Sequence, residues 1–197
     1  MPSRQGNKHP ATAMTRYFIT IIALLMALTT MPSHAQEMTK AEIAGIRAAY
    51  SAAKERIERN SHAQEQNVPR SDMEIVSHYI VPGCGPTEEV IRYYFTLGED
   101  PVLGTPVYNI YFITRSYNVA ARKFYQEFLF DGPECELLFF YQHNDALDGG
   151  ADETRYYYGK SGIHKAIKGI AEFDEVFATR TADELKNAFN LLMNKDY

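Results

Sequence analysis

The chain has no tryptophan, two cysteines, and fewer basic than acidic residues. Two thiols are too few for a disulfide scaffold or a four-thiolate zinc site. With 20 Lys and Arg against 25 Asp and Glu, the formal charge of −5 argues against a phosphate-binding surface and so against a nucleic-acid partner. Twelve glycines and nine prolines exclude a collagen-like or low-complexity chain. Catalytic signatures are also missing. There is no Gly-x-Ser-x-Gly elbow. His62, His78, His143 and His164 lack the close spacing of a zinc site and read as ordinary surface or strand residues. Gly159-Lys160-Ser161-Gly162 echoes the end of a phosphate-binding loop. Thr154 stands where that loop needs its first glycine, and no helical pattern follows, so the segment reads as a hairpin turn. Cys135 with a distant histidine is a minimum for a thiol nucleophile that most chains meet by chance.

What is present is a globular composition, 45% hydrophobic and 23% charged, of a length suited to one domain. Residues 1–35 have the parts of a secretory signal: Arg16, an apolar run over 17–31, then Pro32-Ser33-His34-Ala35 with small residues flanking a cut after Ala35. The run is shorter than the ~20 residues that span a bilayer, and Thr20, Thr29 and Thr30 interrupt it. Met14 is a plausible start of translation. Cleavage would remove Arg4, Lys8 and Arg16 and no acid, leaving an acidic domain at 36–197 with a charge of −8 and no transmembrane segment. The expected location is periplasmic or extracellular, where ATP and NAD chemistry are out of place, and no cofactor is expected.

Thr39 and Glu42 make a capping-box pattern. Ile43, Ile46, Tyr50, Ala53 and Ile57 follow at steps of three and four, which predicts an amphipathic helix. Lys54, Glu55, Arg56, Glu58 and Arg59 read as its solvated face. Polar residues 61–72 read as a connector. Strands are predicted over 73–81, 88–97, 107–116, 122–130, 136–142, 153–158 and 163–170, broken by turn residues such as those at 82–86, 131–133 and 159–162. Links this short favour antiparallel neighbours. Thr181 and Glu184 repeat the capping box, with Leu185, Ala188, Phe189 and Leu192 as a second helical stripe. Residues 173–177 fit either a helical turn or a short strand.

Alternation sets Ile91, Tyr93 and Phe95, and likewise Phe124, Phe128 and Phe130, on one side of their strands. Arg92 and Tyr94, and Tyr125 and Glu127, fall on the other. The fold class expected is α+β: an antiparallel meander of about seven strands with both helices packed on the one apolar face. The other face, mixing tyrosine with charge, is expected to be partly open to water.

The stretch 111–169 contains Phe-Tyr-Gln-Glu-Phe-Leu-Phe-Asp from Phe124, Leu-Leu-Phe-Phe-Tyr from Leu137 and Thr-Arg-Tyr-Tyr-Tyr-Gly-Lys from Thr154. It resembles small exported bacterial proteins that join a signal peptide and an N-terminal helix to an aromatic β-meander. That resemblance implies the fold and carries over no site residue.

Three site readings follow. Tyr94, Tyr125, Tyr156 and Tyr158 are the candidate ligand-binding residues, because tyrosines on an open sheet face suit recognition. The bland reading is that cross-strand tyrosines only stabilise the sheet. The acidic loop with Asp145, Asp148 and Asp152 is the candidate metal site, although its spacing departs from the EF-hand. No catalytic residue is assigned. Cys84 and Cys135 fall in the first and fourth links, at opposite ends of a regular meander, which predicts two free thiols. The function expected is an exported binding or interaction module for a protein or envelope ligand. The alternatives are an extracytoplasmic hydrolase using carboxylates scattered in sequence and a structural envelope protein.

Overall fold

The computed structural model describes residues 38–63, 65, 70–132, 134–145, 151–169 and 174–193; the predicted signal segment lies outside them. Helix α1 spans Lys40–Ser61. Seven strands follow: β1 Asp72–Val81, β2 Gly85–Glu99, β3 Pro106–Val119, β4 Arg122–Asp131, β5 Glu136–Asp145, β6 Ala151–Gly159 and β7 Gly162–Lys168. Helix α2, Glu175–Met193, closes the chain. The strands form one antiparallel sheet in sequence order, so the fold is the expected α+β meander. Among the described residues no helix is long and apolar enough to cross a membrane.

The predicted capping box is formed. The Glu42 N–H donates to Thr39 Oγ1 at 3.2 Å, and the Thr39 N–H donates to Glu42 Oε2 at 2.9 Å. The Ser161 hydroxyl, on the β6–β7 turn, donates to the same carboxylate at 2.6 Å and ties the start of α1 to the sheet. At the other end, Asn60 Nδ2 donates to Asp72 Oδ1 at 2.9 Å. The helix therefore runs across the sheet from the β6–β7 turn to β1.

The placement of the helices departs from expectation. Tyr93, Ile113, Phe128, Phe140 and Tyr156 pair in one cross-strand row, and Ala178, Ala182, Leu185 and Phe189 of α2 pack on that face. The alternate row, Tyr94, Phe112, Leu129, Phe139 and Tyr157, packs under Ile46 and Ala53 of α1. The helices thus lie on opposite faces, in a helix–sheet–helix sandwich. The physical reason is that the central strands are apolar on both sides, because Tyr94 and Tyr157 bury their rings like phenylalanine. Each fully buried ring or branched side chain contributes roughly 1.5–3 kcal/mol.

Two β-bulges, opposite Tyr94/Phe95 and Leu129/Phe130, leave Tyr111 and Leu138 as extra residues. Each turns the following alternation over, which brings Ile110 and Leu137 to the α2 face. Helix α2 also begins earlier than its sequence pattern suggested. Asp174 Oδ1 accepts the Phe177 N–H at 2.8 Å as the N-cap, and Thr181 is buried in mid-helix. Leu192, predicted in the stripe, is 51% exposed. Cys84 and Cys135 lie in the β1–β2 and β4–β5 turns and are not joined by a disulfide; the Cys135 thiol donates to the Ile110 carbonyl at 3.6 Å.

Candidate functional site

The four expected tyrosines do not form one platform. Tyr94 is buried on the α1 face, edge-on to Phe112 at 6.4 Å between ring centres. Tyr156 is buried on the α2 face, stacked on Phe140 at 5.9 Å. Tyr158 is half-buried against the α2 cluster. Its hydroxyl is without a partner among the described residues, and desolvation pushes its ionisation up. Tyr125 belongs to the α1 face and is half-buried. In the acidic segment, Asp145 is exposed and its carboxylate accepts the Lys123 N–H at 3.3 Å. Asp152 is buried opposite Asn144, on the other face of the sheet from Asp145. Asp148 lies outside the described residues. Among those described, no three His, Cys, Asp or Glu side chains are grouped to hold a metal ion. Gly159-Lys160-Ser161-Gly162 is the tight β6–β7 turn.

The α1 face does bring chemistry together. Glu127 on β4 has a side chain only 4% exposed. Tyr50 Oη donates to its Oε2 at 2.6 Å, while Lys54 Nζ and Tyr125 Oη donate to its Oε1 at 2.9 and 2.8 Å. Tyr50 and Lys54 are one turn apart, so both reach down from α1. Tyr125 and Glu127 are two apart on a strand, so both point up. A buried carboxylate is tolerable only when its lone pairs are filled in this way. Burial, then the Glu127 carboxylate beside it, pushes the ionisation of Tyr50 and Tyr125 upward, so both phenols stay donors. Lys54, read from sequence as part of a solvated face, is instead half turned inward.

Beside this cluster, between α1 and strands β5 and β6, is a groove of about 470 Å³. Ile46 and Phe139 contribute apolar walls, and Arg47, Tyr50 and Ser51 line it from the helix. Tyr141, Arg155 and Tyr157 line it from the sheet. Tyr141 and Arg155 are direct cross-strand partners, and the Arg155 guanidinium sits 5.1 Å from the Tyr141 ring centre. Arg47 sits similarly over Tyr157 at 5.6 Å. Farther along α1, Arg56 covers Tyr111 at 4.9 Å. Such guanidinium–ring contacts hold a long, flexible side chain in place. Arg155 also pairs with Glu153 at 2.9 Å, whereas Arg47 has no ion pair among the described residues.

A second depression of about 490 Å³ flanks the other side of α1, with Glu42, Asp131 and Glu136 at its wall against a single cation, Lys160. The two flanks of one helix therefore differ in charge. Sequence reasoning missed Arg47, Arg155 and Glu127. The available signal was the Tyr141–Arg155 pairing, which follows once the β5–β6 register is known. The chain matches no protein-family model, no curated protein and no solved structure.

Proposed function

We propose that the protein is an exported binding module that holds a small ligand in the groove between α1 and strands β5 and β6. The observation that carries this reading is the groove itself, in which tyrosines and arginines line one concave space with apolar walls. Its volume is within the roughly 300–1,000 Å³ range of small-molecule sites, and tyrosine and arginine are the side chains most enriched where binding energy concentrates. The signal-like residues 1–35 support export to the periplasm or the extracellular space, with an envelope component as the ligand. Binding is favoured over hydrolysis because Glu127, the buried carboxylate of this face, has both oxygens engaged by Tyr50, Lys54 and Tyr125.

The test is a set of protein crystals soaked with a mixed library of charged and neutral fragments. Fragment density in the groove, touching Tyr141 or Tyr157, is the expected result. Fragments bound elsewhere, with this groove empty throughout, would overturn the reading.

A further inference from the structure

The charge of the groove narrows the ligand. The protein carries a net charge of −5, yet none of the residues lining this space is Asp or Glu, and two are arginine. Glu127 lies close by, but Lys54 and two phenol hydroxyls already answer its charge. Glu153 pairs with a terminal nitrogen of Arg155 at 2.9 Å, and Arg47 has no ion pair among the described residues, which leaves its guanidinium donors available to a ligand. Tyr157 and Tyr141 lie under the two guanidinium groups, at 5.6 and 5.1 Å. That arrangement limits the freedom of each arginine before a ligand arrives, which lowers the entropy lost on binding. A concave space lined by one sign of charge with apolar walls also focuses its field on an incoming counter-charge.

Resting on the binding-module reading, we infer that this groove takes a small organic polycarboxylate, with Arg47 and Arg155 each donating to a carboxylate. Planar guanidinium forks match carboxylates in shape as well as charge. The apolar walls from Ile46 and Phe139 suit the carbon backbone that joins the acid groups.

The experiment is calorimetric titration of the full-length protein with tricarballylate, and in parallel with its neutral triamide. Tricarballylate binds, the triamide binds at least tenfold more weakly, and added salt weakens the former, as screening requires. Arg47→Gln removes a charge from an exposed helix position, so the fold persists, which a thermal melt verifies. This variant lowers tricarballylate affinity about tenfold, the equivalent of one lost charge-assisted contact. Equal affinity for the acid and the triamide, or an unchanged affinity in Arg47→Gln, would overturn the inference. If soaked crystals hold neutral fragments in the groove while tricarballylate does not bind, the polycarboxylate assignment falls and the binding-module reading stands. If the groove accepts nothing of either kind, both fall.

Discussion

The two helix–sheet interfaces use the same sheet in opposite ways. Under α2, Ala178 and Ala182 bring the helix close, and Phe189 lies 5.3 Å from Tyr93 and 5.4 Å from Phe95, centre to centre. Beneath the helix, small residues and large rings fill the layer with hydrocarbon, while farther along the same face Gln126, Gln142 and Asn144 are buried as a chain whose amides satisfy one another. Under α1 the contacts alternate between rings and charges: Tyr50 meets Phe139 at 5.2 Å, and one turn later Lys54 meets Glu127. An interface of this mixed kind leaves a groove lined with hydrogen-bond donors. The comparison teaches that buried aromatic area alone does not mark a binding face. What differs is whether the facing helix supplies alanine or arginine, lysine and tyrosine.

The largest expected effect breaks the α2 side. Phe189→Ala deletes a fully buried ring and should lower unfolding free energy by about 3–5 kcal/mol in urea melts. A loss under about 1 kcal/mol would mean that α2 is not a structural layer. Next is the polar heart of the α1 side. Glu127→Ala leaves Tyr50, Tyr125 and Lys54 without their acceptor and should cost roughly 2–3 kcal/mol, whereas Glu127→Gln, which keeps one acceptor, costs less. Equal stability of wild type and Glu127→Ala would show that the three donors find water instead.

The helix layout shows where sequence reading succeeds and where it fails. All seven strands were legible, because punctuation such as Pro82-Gly83, Asp131-Gly132 and Gly159–Gly162 separates runs with clear two-residue alternation. The Thr39–Glu42 cap was legible for a similar reason, since it is local in the chain. The opposite-face placement was not, because tyrosine serves both core and surface, and Tyr94, on the same side of its strand as Arg92, reads as part of a face open to water. The second cap misled because Thr181 and Glu184 imitate a capping box inside a helix whose cap is Asp174. The groove was illegible for a different reason. Arg47 and Arg155 are far apart in the chain, and only the crossing of α1 over β6 brings them to one cavity.

A pH dependence sharpens the α1 side further. The Ser161 hydroxyl, followed by the Thr39 backbone N–H, holds the Glu42 carboxyl at about 2, below its ordinary 4.5. A lowered carboxyl means that the folded state prefers the ionised form. Its contribution is complete above the ordinary value and is lost as pH falls toward about 2. The stability difference between wild type and Glu42→Gln, measured by urea melts across that window, should shrink as the solution is acidified. A gap that stays constant from neutral pH down to that value would place the anchoring of α1 elsewhere.

The smallest effect is expected at the groove itself. Arg47 is exposed and unpaired by any acid among the described residues, so Arg47→Ala should change unfolding free energy by less than about 0.5 kcal/mol. A loss several times larger would move Arg47 from ligand recognition to support of the fold.

The most direct test of the division between a building side and a binding side is an amide NMR titration of the protein with tricarballylate. The expected map has saturable shifts at Arg47, Ser51, Tyr141, Arg155 and Tyr157, with Ala178, Ala182, Leu185 and Phe189 unmoved. Shifts centred on α2, or spread over exposed lysines without saturation, would contradict the assignment of the α1 face as the binding face.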